Sequence, residues 1–274
     1  MTEQLTPSVA APEPAVEPAT VPAPPRRVLR AVARWAAALL VCGGLGTGTA
    51  LGITSMDRAD VPGLATRDDG RWDYPRLSLP ALPAGSPRPF NEGNRGEIHH
   101  ADLRALLLPL PAGAEQDKEL DGGWVAPERY TAAYEEEKRA DLALALDDHA
   151  VRHVAARGWT MPDGTTARVH LLRFNSAGIA ERFKVRVIGV GLSSGLPPAG
   201  SPSLELDPVW TSSGLVENTT TYLYAETKPY DGAQLRLAYI QAGDTIALIT
   251  HSRKGGAPEV PFHQSVILQN QLLG

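Results

Sequence analysis

The stretch QLRLAYIQAGDTIALITH, residues 234–251, carries the plainest signal of the fold. Two β-rich runs, Gln234 to Ile240 and Thr245 to His251, close around Gln241-Ala242-Gly243-Asp244, which predicts an antiparallel hairpin. Upstream the pattern repeats: Val151 to Thr160 and Thr165 to Phe174 flank Met161-Pro162-Asp163-Gly164, a turn sequence with Pro, Asp and Gly in the positions that bend a chain. A helix is expected after each hairpin. After the first, Asn175-Ser176 offers an N-cap and Ile179, Ala180, Phe183 and Val187 trace one helical face. After the second and a Gly255-Gly256 break, Phe262, Val266 and Leu273, with Ile267 beside them, predict a terminal helix docked by its apolar side.

Hairpin then helix thus occurs twice, over about residues 151–188 and 234–273, which predicts an α+β fold: an antiparallel sheet of five or more strands covered by helices on one face. A further helix is expected near 127–148, where Pro127 and Glu128 suit a first turn and Tyr130, Ala133 and Tyr134 share a face. Thr219 to Glu226 reads as a strand. Leu103 to Leu110, stopped by Pro109 and Pro111, reads as a strand or one helical turn, and Gly113 to Gly123 and Gly189 to Ser203 read as loops.

Before this domain lies a stretch of different character. Between Arg34 and Asp57 no side chain is charged, and Trp35 to Ile53 would span roughly 28 Å as a helix, close to the ~30 Å of a bilayer core. Arg26, Arg27, Arg30 and Arg34 precede it while Asp57, Asp60, Asp68 and Asp69 follow, an asymmetry that places the N-terminus in the cytoplasm. The expected organisation is a disordered Pro-rich cytoplasmic tail at 1–27, a transmembrane anchor at 28–54, a Pro-rich extracytoplasmic stalk at 55–95 and the α+β domain at 96–274. The stalk holds the aromatic cluster Arg71-Trp72-Asp73-Tyr74-Pro75, too apolar for a pure spacer and expected to pack back in part. A cleaved signal peptide would end near Gly48 or Ala50, but the apolar run continues through Leu51 and Ile53. A lipoprotein would want a small residue before Cys42, where Val41 stands, and Arg26-Arg27 serves as positive flank better than as a twin-arginine signal. Gly44, Gly48 and Gly52 recur every four residues, a stripe on which two anchors could pack closely as a weak homodimer.

Charge narrows the partners. The chain has 26 Lys+Arg and 31 Asp+Glu, and the four arginines and three glutamates up to Arg34 leave 22 against 28 beyond it. A domain with this acidic balance is not built for nucleic acid or an anionic membrane face. Cys42, inside the apolar run, is the only cysteine, so an exported domain would rely on its core rather than on disulfides. About 180 residues are enough for one such core.

The segments Asp60-Val61-Pro62-Gly63-Leu64, Gly70 to Pro75, Gly158 to Thr165 and the ending from Val260-Pro261-Phe262-His263-Gln264 to Leu272-Leu273-Gly274 resemble those of uncharacterised membrane-anchored exported proteins of streptomycete-type actinobacteria, over most of the chain after residue 28. The resemblance implies the same topology. It brings no functional residue with it.

Motifs for chemistry are weak. Gly191-Leu192-Ser193-Ser194-Gly195 spells the nucleophile-elbow pattern, with Asp207 or Asp231 and His251 or His263 following in hydrolase order. Leu196-Pro197-Pro198-Ala199-Gly200-Ser201-Pro202 cannot supply the helix an elbow needs, so a flexible loop is expected. His99-His100-Ala101-Asp102 and the pair His149, His153 lack a complete ligand set for a metal. His170 and His251 fall in strands as structural histidines, and Glu135-Glu136-Glu137 and Asp147-Asp148 read as a solvated helix face. No catalytic, cofactor-binding or metal residue is therefore expected. The function expected is a single-pass, membrane-anchored extracytoplasmic binding or sensing module facing a small ligand or an envelope protein; the alternatives are a structural partner in a cell-envelope complex and, less favoured, an enzyme acting through the Gly191–Gly195 loop.

Overall fold

The computed structural model describes residues 26–55, 69–201, 203–229 and 232–274. The chain divides into two compact units, Met1–Arg67 and Asp68–Gly274. The first contributes one helix, α1 (Arg26–Ser55), which contains the stretch expected as an anchor. Among the described residues no helix is long and apolar enough to cross a membrane. Much of the apolar run, Leu45 and residues 48 to 55, lies outside the described side chains. So do Gly48 and Gly52, while a Cβ added at Gly44 would meet nothing within 4 Å. Residues 1–25 and 56–68, with most of the expected tail and the first part of the stalk, also lie outside the described residues.

The second unit is built on a single antiparallel sheet. Its elements run β1 (Glu115–Trp124), α2 (Pro127–Thr131), α3 (Glu136–Asp148), β2 (His153–Thr160), β3 (Thr166–Arg173), α4 (Ala177–Arg182) continued by a π-helical turn (Phe183–Ile188), β4 (Glu205–Leu206), β5 (Thr219–Ala225), β6 (Ala233–Ala242), β7 (Thr245–Lys254) and α5 (Glu259–Leu273). The seven strands lie in the order β1-β2-β3-β7-β6-β5-β4. Both predicted hairpins are in this one sheet, joined at its centre by β3 and β7, whose pairing runs from Thr166 opposite Ser252 to Arg173 opposite Thr245.

Helices cover both faces of the sheet, not one. Ala167, Val169 and Leu171 of β3, Ala247 and Ile249 of β7, and Ala238 and Ile240 of β6 pack with Phe262, Val266 and Leu273 of α5. The alternate residues, Leu172, Ile246, Leu248, Leu237 and Tyr239, pack with Tyr130 and Tyr134, Leu142 and Leu146, and Phe183. A strand sandwiched in this way reads as a continuous apolar run, because its period-two alternation disappears when neither side meets water. In β6, the last six residues are all buried.

The segment read as a stalk is bound to the α5 side from its first described residues. Trp72, Tyr74, Leu77, Leu82 and Phe90 pack against that core. The Trp72 backbone exchanges two hydrogen bonds with the Gln264 side chain, at 2.8 and 2.9 Å, and the Tyr74 hydroxyl meets Ser265 Oγ at 2.8 Å. Leu103–Leu106 is a single 3-10 turn capped by Asp102.

Two local expectations fail for identifiable reasons. Most of 113–123 is not loop: Glu115 to Trp124 form the edge strand β1, which among the described residues pairs with β2 alone and whose register slips twice. A polar, bulged edge is how sheets discourage further pairing, and it erases the apolar alternation that marks a strand. The helix expected over 127–148 is broken at residues 132–135. There the backbone turns aside to pair with the 197–199 loop, through Glu135 N–H to the Pro197 carbonyl (3.1 Å) and Ala199 N–H to the Ala133 carbonyl (2.9 Å). Tertiary pairing outcompetes local helix propensity.

Candidate functional site: a cleft on the α2 face of the sheet

Helices leave part of one sheet face open, and there a cleft of about 440 Å³ lies over β3, β7 and β6. Its floor consists of alternate residues of neighbouring strands: Thr166, Arg168 and His170, then Thr250 and Ser252, then Ala233 and Leu235. One wall is β1, with Asp117, Glu119 and Leu120; the opposite wall is the Pro198–Gly200 loop; and the deep end is closed by Arg129 of α2 and by Ala132 and Ala133 just after it. The first wall stands where it does because β2 has a glycine at its crossing point. A Cβ on Gly158 would lie 3.1 Å from Asp117 Cβ and 3.2 Å from Leu120 Cδ1, so a side chain there would require the bulged edge strand to give by a few tenths of an ångström, and glycine lets it fold over the sheet without that shift.

Charges in the cleft are paired across it. Arg129 Nη1 meets Glu119 at 2.5 Å, and Arg168 Nε lies a loose 3.9 Å from Asp117. These pairs are half-exposed to exposed, which makes them weak and exchangeable. At the deep end His170 is buried, with both ring nitrogens shielded from solvent. Burial pushes its pKa down to about 4, helped by the neighbouring Arg168 charge and opposed by the Arg129 backbone, so the ring is neutral at pH 7. Tyr130 packs edge-on against it at 6.0 Å. Behind it the hydroxyls of Tyr130, Tyr134 and Tyr239 form a buried chain at 2.8 and 3.0 Å. Burial, the largest influence, holds all three phenols protonated.

The other histidines are engaged elsewhere. His99 is buried and tied to Asp244, while His100 and Asp102 are exposed and Asp102 caps its own turn through Arg104. His149 ends α3 and bonds the Ala145 carbonyl, and His153 begins β2 against Trp124, so the two are divided by the helix-to-strand boundary. Among the described residues no group of three His, Cys, Asp or Glu side chains is placed to hold a metal. His251, on the α5 face, is enclosed by Trp72, stacked at 4.8 Å, and by the edges of Trp159 and Phe262. Burial, with Arg236 adding and Asp163 opposing, takes its pKa down to about 3.

The hydrolase pattern is taken apart by the fold. Asp207 does meet His263, at 2.9 Å, and also accepts from Arg236 at 3.0 Å. Burial works to raise the Asp207 pKa, but the bonds from His263 and the Val209 N–H, with the Arg236 charge, hold it below the usual carboxylate value. This cluster sits on the α5 face. Ser193 is exposed in a loop fastened to Tyr224, on the opposite face, where the Tyr224 hydroxyl and the Gly191 backbone exchange bonds at 2.7 and 3.2 Å. No elbow forms.

None of the cleft residues stood out in the sequence except His170, which was expected as structural. Two signals could have found them: an isolated glycine, Gly158, inside a strand pattern, and Arg168 and His170 interrupting an otherwise apolar strand.

No protein-family model matches this chain, and no curated protein does. Among solved structures it is similar to the extracellular domain of PknH from Mycobacterium tuberculosis, at 11% identity over 61% of this chain and 93% of that one, with a TM-score of 0.35. A likeness at that score is too loose to establish a shared fold.

Proposed function

We propose that residues 69–274 are an extracytoplasmic binding or sensing domain whose small ligand occupies the cleft over Arg168 and His170, and that residues 28–54 tether it as one membrane-spanning helix with the N-terminus in the cytoplasm. The observation that carries the binding reading is the cleft itself, about 440 Å³ of open space over the sheet in which two partly exposed ion pairs flank apolar surface. Support for the tether is in the sequence: the charge-free run after Arg34 and the arginines before it. The separation of Ser193 from the Asp207–His263 pair favours binding over hydrolysis.

Both halves are tested by one residue. In a Cys42→Ser background, Ser252→Cys places a thiol on the cleft floor. A membrane-impermeant maleimide should label it in intact cells, and the low-molecular-weight fraction of spent medium should slow the labelling. Labelling only after permeabilisation would sink the topology, and labelling that no small molecule slows would sink the cleft as a binding site.

A further inference from the structure

The chemistry of the cleft lining narrows the ligand, taking the cleft as the binding site proposed above. Its ionic groups are Asp117 and Glu119 against Arg129 and Arg168, so with His170 neutral the lining has no net charge. A polyanion such as a nucleotide or phosphorylated sugar would meet two carboxylates along one wall. No Phe, Tyr or Trp lines the cleft, which removes the broad stacking platform on which sugars and flat heterocycles are held. What remains is apolar surface from Leu120, Leu235 and Ala133 between opposite charges. That combination fits a molecule with one charge of each sign and a small apolar body.

The geometry points to a short peptide with free termini, two or three small apolar residues long, as the ligand of this cleft. Its ammonium group is taken by the acidic wall of Asp117 and Glu119, and its carboxylate by Arg168 and Arg129. Because Arg168 and Asp117 stand 3.9 Å apart and are partly exposed, a zwitterion enters by exchanging into a pair that is already loose. The volume, about 440 Å³, leaves room for two or three small residues.

The test is calorimetric titration of the full chain in detergent micelles at pH 7 with alanyl-alanine, its N-acetylated and C-amidated counterpart, glucose and inorganic phosphate. Alanyl-alanine is expected to bind, and the doubly capped peptide at least ten-fold more weakly. Asp117→Asn and Arg168→Gln should each weaken alanyl-alanine at least five-fold with an unchanged thermal midpoint, since both side chains reach solvent. Equal affinity for the capped peptide, full affinity in either variant, or no heat with alanyl-alanine would overturn the assignment. Binding of glucose or phosphate instead would overturn the peptide while leaving the cleft intact as a site; only the protection experiment with Ser252→Cys tests the cleft itself.

Discussion

His99 and Asp244 meet at 2.7 Å with 3% and 0% of their side chains exposed, and this pair ties three distant parts of the chain together. Asp244 Oδ1 also accepts from the His99 backbone N–H at 3.2 Å and from the Thr245 hydroxyl at 3.0 Å. The other ring nitrogen of His99 reaches the Leu273 carbonyl at 2.8 Å. The segment before β1, the β6–β7 turn and the end of α5 are therefore held at one buried point. Removing one partner strands the others without water. Asp244→Ala should lower unfolding free energy by about 3–5 kcal/mol, read as a lower urea midpoint at constant slope. Asp244→Asn, which keeps an acceptor, should recover part of it. A loss under about 1 kcal/mol from Asp244→Ala would show that the knot does not hold these elements.

How far the sequence could be read depended on whether the relevant physics was local. Pro162-Asp163-Gly164 and Gly243-Asp244 sit in the expected turns, Ser176 accepts from Ile179 N–H as an N-cap should, and Phe262 and Val266 are buried under α5 as their spacing predicted. Each needs only its neighbours. β1 was missed because an edge strand with charges at Glu115, Asp117, Lys118, Glu119 and Asp121 is specified by its partner rather than by its own pattern. The second covered face was written in the apolar run Leu237 to Ile240 of β6 but lay beneath the hairpin signal. The cleft was least legible: Asp117, Arg129, Arg168, Pro198 and Ser252 come from five separate elements or loops, and nothing in their spacing relates them.

Acid should destabilise the domain through its two neutral, buried histidines. His170 and His251 have pKa values of about 4 and about 3 when folded, against an ordinary value near 6.5 when unfolded. Between those limits the unfolded chain binds more protons, so stability rises with pH. It is fully present above pH 6.5 and is lost as the pH falls toward 4. Each site should contribute on the order of 3 kcal/mol to the loss between pH 7 and 4. His251→Phe, which keeps the aromatic packing, should remove about half of the slope in denaturant titrations. An unchanged slope would mean that the His251 ring is not held neutral by burial.

Gly158 should be intolerant of a side chain for a reason specific to the cleft. Its missing Cβ makes room for Asp117 and Leu120, so Gly158→Val must push β1 outward. Overpacking of this kind costs about 1–3 kcal/mol. The informative readout is hydrogen exchange. Amides of β1 should lose protection while those of β3 and β7 keep theirs, and uniform loss across the sheet would contradict a wall that moves on its own.

Trp72 should matter more at neutral pH than in acid, because it covers His251. The indole is stacked on the imidazole at 4.8 Å and 15° and is fixed there by the Gln264 bonds to its backbone. Trp72→Ala removes half-buried apolar contact worth about 2 kcal/mol and opens one face of His251 to water. Burial is the main influence holding that ring neutral, so admitting water raises its folded pKa toward 6.5 and shrinks the gap from the unfolded state. A smaller gap means less stability gained on going from pH 4 to 7. The variant should therefore lose more relative to the parent at pH 7 than at pH 4, and its stability curve should be flatter. Combined with His251→Phe, the excess loss at pH 7 should vanish, since no titrating ring is left beneath the indole. If Trp72→Ala costs the same at both pH values, then Trp72 contributes packing alone, and the enclosure of His251 comes from Trp159 and Phe262.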